Sequence, residues 1–296
     1  AHGYKDLRIE GFPQCDWVLV DAGDVVVHLF RPEVRSFYNL EKLWSVALPD
    51  EVRSVAFSPD GRNLITSGED GVILIRDVAT GELRRRLDGA HLVSVSADGE
   101  RLLCRPFVGY GLAIFSATTG AKLLGPLWGI HPTFSPDGTK FAARIGERVV
   151  VRDSVTGRES LSFKAFSPFA GFHELHPSIS FSPDGRWILV AEASLAGGVA
   201  AYDALTGDRK QVFPVADGIM AGTFSPDGQR IAIWPGVIGT PSVWEKGRPS
   251  QPAARLLGTA TIAMSFSPDG RRLVFTSDRS GSPQIYLMDA DGLNLR

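Results

Sequence analysis

The chain holds 296 residues, 44% hydrophobic and 22% charged, enough apolar material for a sizeable core and a composition unlike that of a disordered or fibrous protein. Thirty-one Lys and Arg against thirty-three Asp and Glu leave a formal charge of -2, so no strong field draws the molecule to nucleic acid or an anionic membrane. Two cysteines, Cys15 and Cys104, exclude a disulfide scaffold and sit in no metal-ligand spacing. No apolar run approaches the roughly 18 residues of a membrane span. Ala1-His2-Gly3 carries no visible secretion signal, and the stop at Arg296 just after a turn-like Asp289-Ala290-Asp291-Gly292 reads as a piece of something longer.

Taken from the N-terminus, Trp17–Asp21 and Asp24–Phe30 read as two strands joined through Ala22-Gly23. Arg31-Pro32-Glu33 then opens a predicted helix, with proline where a first-turn amide needs no partner and glutamate at the positive end. Val34, Phe37, Tyr38 and Glu41, with Leu40, Leu43 and Trp44, give that helix an apolar face at helical spacing. The run Asp16-Trp-Val-Leu-Val-Asp-Ala-Gly-Asp-Val-Val-Val-His-Leu-Phe30, with Phe37-Tyr-Asn-Leu-Glu-Lys-Leu-Trp44, resembles the C-terminal part of the ribosomal silencing factor (Iojap-like) family. The resemblance implies a small α/β domain that binds a large-subunit ribosomal protein and keeps the subunits from joining. The residues it would use are Trp17, Asp21, His28, Phe30, Tyr38, Leu40, Glu41 and Trp44. The first half of that domain is missing, which leaves two readings open: a natural fusion cut at its front, or a spliced chain joining two unrelated genes.

Beyond residue 50 the chain repeats itself. Phe-Ser-Pro-Asp-Gly recurs at 57–61, 134–138, 181–185, 224–228 and 266–270, with a degenerate Val-Ser-Ala-Asp-Gly at 95–99. The aspartates at 60, 98, 137, 184, 227 and 269 are 38, 39, 47, 43 and 42 residues apart, a period that four short strands and their turns fill. Proline presets φ for a tight turn, and glycine takes the left-handed conformation that returns the chain to a strand. The phenylalanine closes the preceding strand and suits packing between neighbouring sheets. Apolar strands such as Trp187-Ile-Leu-Val190 and Val72-Ile-Leu-Ile-Arg-Asp77 follow, then turns such as Ala204-Leu-Thr-Gly207, and no room is left for helices.

From about Leu43 onward this pattern resembles WD40-like β-propellers, and Ser265 to Asp289 resembles the TolB type closely. The Trp-Asp position of such repeats reads Arg76-Asp77, Phe115-Ser116, Arg152-Asp153, Tyr202-Asp203, Trp244-Glu245 and Met288-Asp289, and the Gly-His element is absent. The implied fold is all-β, a six-bladed β-propeller over residues 45–296 with a short N-terminal α/β-type fragment over residues 1–44. The last blade shows three strands, and the expected fourth comes from Trp44-Ser-Val-Ala-Leu48. The alternative is a chain that stops before its own fourth strand.

Chemistry is harder to find. His173-Glu-Leu-His176 lacks the helical spacing of a metalloprotease pair, and Asp289–Asn294 lacks the later ligands of a calcium loop. No nucleophile elbow, phosphate loop or dinucleotide fingerprint occurs, and Arg84-Arg-Arg86 reads as a solvated face. The long spacing before the fourth motif inserts Phe166, Phe169, Phe172 and His173, and propeller insertions map to rim loops, where partners bind. Trp234 and Trp244 are a second set of candidate rim anchors. The expectation is a non-catalytic scaffold for protein or peptide ligands, in the cytoplasm or, if truly TolB-like, the periplasm. It would use no cofactor, no metal, no direct nucleic-acid contact and no membrane span. The alternatives are a ribosome-associated silencing factor working through the front segment, or a propeller enzyme of the lactonase or quinoprotein kind.

Overall fold

A computed structural model describes residues 8–10, 17–21, 26–30, 52–106, 111–165, 179–192, 198–214, 219–235, 241–248, 250, 252–255, 264–267, 269–277 and 284–290. The chain divides into two compact units, Ala1–Leu48 and Pro49–Arg296. In the first, Arg8–Glu10, Trp17–Asp21 and Val26–Phe30 form a three-stranded antiparallel sheet in chain order. The register sets Trp17 opposite Phe30 and Leu19 opposite His28. The second strand has its expected bounds, and the third is described over Val26–Phe30, with Asp24 and Val25 outside the described residues. The expected helix and the Trp44–Leu48 closing strand lie outside the described residues.

The second unit is a six-bladed β-propeller built from antiparallel meanders. The first blade holds Val52–Phe57, Asn63–Gly68, Val72–Asp77 and Leu83–Asp88; the second Ala90–Val95, Arg101–Pro106, Leu112–Ser116 and Lys122–Leu127. The third holds Ile130–Phe134, Lys140–Ile145, Arg148–Asp153 and Glu159–Lys164; the fourth Ile179–Phe181, Trp187–Glu192, Gly198–Asp203 and Arg209–Pro214. The fifth holds Ile219–Phe224, Arg230–Pro235, Ser242–Glu245 and Ala254–Arg255, and the sixth Met264–Phe266, Arg272–Ser277 and Gln284–Asp289. No helix occurs among the described residues, and none there could cross a membrane.

Side chains alternate across a strand, so a sheet wedged between two others must be apolar on both faces. That is why the middle strands read as unbroken apolar runs. In Trp187–Glu192, Ile188 and Val190 join a cluster with Val149, Val151 and Phe163 of the third blade. The intervening Leu189 and Ala191 pack with Phe224, Ile231 and Trp244 of the fifth. Burying each such aliphatic side chain contributes about 1.5–3 kcal/mol. Five clusters of this kind weld the first blade to the second and so on to the sixth. Among the described residues none joins the sixth to the first. There Val55 and Phe57 on one flank and Val274 and Leu287 on the other are 58, 61, 39 and 38% exposed. Phe134, Phe181 and Phe224, which occupy the place of Phe57 in their own repeats, are buried as expected.

A meander puts its first-to-second and third-to-fourth connections at one end and all others at the opposite end. At the first end all six first-to-second connections span five residues, as do four of the five third-to-fourth ones. At the other end the described strands are separated in sequence by as little as the single residue Gly89 and as much as the fourteen positions between Lys164 and Ile179.

Candidate functional site

At the uniform end each motif folds identically. The glycine amide donates to the serine carbonyl at 2.8 Å, and the six glycines have φ between +67° and +72°. The serine hydroxyl does two things. It accepts the amide five residues on at 2.9 Å, and it donates to the aspartate, as in Ser135 to Asp137 at 2.6 Å and Ser182 to Asp184 at 2.5 Å. The same carboxylate accepts the amide two residues on, as from Thr139 at 3.0 Å. These bonds, the serine hydroxyl's first, hold Asp137, Asp184 and Asp227 below the usual carboxylate range. At Asp98 partial burial pushes upward, but Ser96, the Glu100 amide and Arg101 outweigh it and hold the carboxyl at about 2. The serine carbonyl, the serine hydroxyl and one oxygen of each aspartate are thus committed within the turn, a structural use of these side chains.

Successive turns also nest. A Cβ built on Gly99 would stand 3.1 Å from Pro59 Cδ of the preceding blade, and one on Gly228 would stand 3.5 Å from Pro183 Cδ. Where Ala97 replaces proline, Arg101 fills the space, donating to Asp98 at 2.8 Å and to Ser154 of the third blade at 2.5 Å. Between the fourth and fifth blades Lys246 does similar work, 3.8 Å from Asp184 and 4.6 Å above the Trp187 ring. Between the third and fourth, Ala204 stands where Ser154 and Lys246 stand in their blades. The result is a cleft of about 380 Å³ lined by Ser135, Asp137, Lys140, Asp184 and Ala204 among others.

The variable end is where the sequence placed its anchors. Phe166, Phe169, Phe172 and His173 lie outside the described residues, as do His176, Tyr38, Leu40, Glu41 and Trp44. Trp17, Asp21, His28 and Phe30 fall on strands of the front sheet. Trp234 and Trp244 correct the expectation. They are 9 and 3% exposed and belong to blade cores rather than to a rim. Trp244 packs edge-on against Phe213 at 5.7 Å, and its indole N–H donates to Ser242 Oγ at 2.8 Å. Its position in the third strand of a two-sided blade allows nothing else.

The sequence reading passed over Trp128. It lies in the two-residue link between the second and third blades and is 69% exposed, beside Ile130 at 47%. His131 follows with φ +51°, a left-handed conformation unusual for a residue with a Cβ. Cys104 is fully buried between the first two blades, and burial pushes its thiol up to about 12. Among the described residues no group of three or more His, Cys, Asp or Glu is placed to hold a metal ion.

Comparison with known proteins finds a different family at each end of the chain. Residues 173–296 match the model of the TolB beta propeller domain, and residues 1–67 that of the ribosomal silencing factor during starvation. The second match runs into the first blade, through Val52–Phe57 and most of Asn63–Gly68. The ribosomal silencing factor RsfS of Zymomonas mobilis is 68% identical over 44 residues, 15% of this chain and 32% of that protein. The RsfS of Bacillus subtilis is 56% identical over 46 residues, 16 and 39% of the two chains. The mitochondrial assembly of ribosomal large subunit protein 1 of Mus musculus is 38% identical over 65 residues, 22 and 28%. The chain thus spans well under half the length of these curated relatives. Among solved structures, the Cps50 (Swd1) β-propeller domain of Myceliophteria thermophila superposes with a TM-score of 0.65 at 15% identity, over 84% of this chain and 86% of that one. Hydrazine synthase of Kuenenia stuttgartiensis gives 0.62 at 17% identity, over 80 and 76%. At such identities the likeness is one of fold.

Proposed function

We propose that the propeller is a non-catalytic platform for protein or peptide ligands and that its variable end is the binding face. The observation that carries this reading is the contrast in connection length. One end repeats two hydrogen-bonded turns of five residues with one longer exception, whereas at the other the sequence between described strands runs from one residue to fourteen. Varied loops on a rigid ring supply shape and anchors without a cofactor. The test is selection of peptides from a random display library against the full chain. The reading expects binders whose capture is lost when 166–178 is replaced by a short Gly-Ser link. Failure to enrich any sequence, or enrichment indifferent to every change at that end, would remove it.

A second reading rests on the 68% identity with RsfS over 44 residues, which supports a ribosomal partner and a cytoplasmic setting for the front segment. Co-sedimentation of the full chain with large ribosomal subunits, abolished by Tyr38→Ala with Trp44→Ala, is the result it expects. An unchanged profile would count against it.

A further inference from the structure

Resting on the platform reading, we infer that Trp128 and the basic collar of the third blade form a docking site for an acidic, extended segment of a partner protein that carries one apolar anchor residue. Trp128 is the largest exposed apolar side chain among the described residues, and Ile130 extends its surface toward the inner strand of the third blade. Large, rigid aromatic side chains of this kind are the usual energetic centres of protein interfaces. The turn that presents it is fixed: Gly129 is packed so closely that a Cβ there would stand 2.9 Å from Ala143 Cβ, and His131 holds its left-handed φ beside it. The indole is therefore offered on a stiff support, which lowers the ordering cost of binding.

The charge around it selects the partner. Ile130 pairs in register with Arg144, and Arg148 and Lys164 stand at the same end of the third blade, with Arg105 on the second. Against these four cations the described part of this sector has one carboxylate, Glu147, already 2.9 Å from Lys164. Arg148 donates to Ser162 Oγ at 2.6 Å and to the Ser162 carbonyl at 2.8 Å, bonds to uncharged acceptors that hold its guanidinium in place. At the same end the first blade carries Glu69, Asp70 and Asp88. A long polyanion such as nucleic acid would cross that acidic sector and be repelled, whereas a short acidic peptide confined to the second and third blades would not.

The test uses the full chain and four labelled dodecapeptides read by fluorescence anisotropy: acidic with a central leucine, acidic without it, basic with it, and neutral with it. A twelve-nucleotide single strand is the fifth probe. The acidic, leucine-bearing peptide alone should bind. Trp128→Ala should weaken it about tenfold or more, and Arg148→Glu should weaken it several-fold, as should raising the salt to about 0.5 M. Binding unchanged by Trp128→Ala, preference for the basic peptide or the oligonucleotide, loss of the acidic peptide through self-association of the chain, or no binding by the acidic peptide would each overturn the assignment. Display-selected peptides that respond to the 166–178 replacement but not to Trp128→Ala would sink this site and leave the platform reading standing; no selected peptides at all would sink both.

Discussion

The two ends of the propeller are made by the same strands and obey opposite rules. At one end, a serine and a glycine repeat in all six blades, and the serine hydroxyl accepts the same amide at lengths that agree within about a tenth of an ångström. At the other, length, charge and apolar exposure change with every blade, from the acidic first sector to the basic third. The difference teaches where this ring keeps its register and where it is free to vary. A ladder of near-identical turns holds the blades in step.

That contrast can be broken or sharpened by experiment. The largest effect is expected from Phe181→Ala, which empties a site sealed between two blades and should cost about 3–5 kcal/mol in urea unfolding. Phe57→Ala, the same motif position on an exposed flank, should stay within about 0.5 kcal/mol; equal losses would show that both flanks are sealed. Next, Ser135→Ala removes the acceptor of the Lys140 amide and the donor to Asp137, and should cost about 1–3 kcal/mol. A neutral result would deny the uniform end its structural role. Acid sensitivity should follow from the same turns. Folded-state carboxyls lie below their unfolded values, so their contribution is complete above about pH 4. It is lost as the pH falls toward the folded value, about 2 for Asp98. Melting temperature should therefore drop between pH 4 and 2, less steeply in Asp98→Asn. The smallest effect is expected from Trp128→Ala, whose stability should match the parent within about 0.5 kcal/mol; a larger loss would reassign that indole from recognition to packing.

How much of this was legible from residue order differs between the ends too. The Phe-Ser-Pro-Asp-Gly copies declare their turns because proline and glycine restrict the backbone locally, and the spacing then fixes six sheets. The nesting of Gly99 on Pro59 is hidden, since it joins residues forty positions apart. Trp234 and Trp244 looked like loop anchors because glycine and proline surround them. Yet Trp244 already occupied the Trp-Asp position of a third strand, and two-sided burial decides what happens there. Trp128 gave no signal: a lone aromatic between Leu127 and Gly129 is indistinguishable in sequence from a core residue until its blade is placed. The cleft beside Ala204 was equally invisible, because it arises from a missing side chain that only neighbouring blades reveal.

The exposed pair Val55 and Phe57 has a dynamic consequence. In a circular stack each sheet is steadied by the neighbours on either side, and the first sheet has a continuous apolar seal on one side alone among the described residues. Fraying should therefore begin at the joint between the opening and closing sheets and travel inward from both directions. Amide hydrogens of Val52–Phe57 and Gln284–Asp289 would then exchange ahead of those in Val149–Val151 and Val199–Ala201, which sit farthest from the place where the circle comes apart.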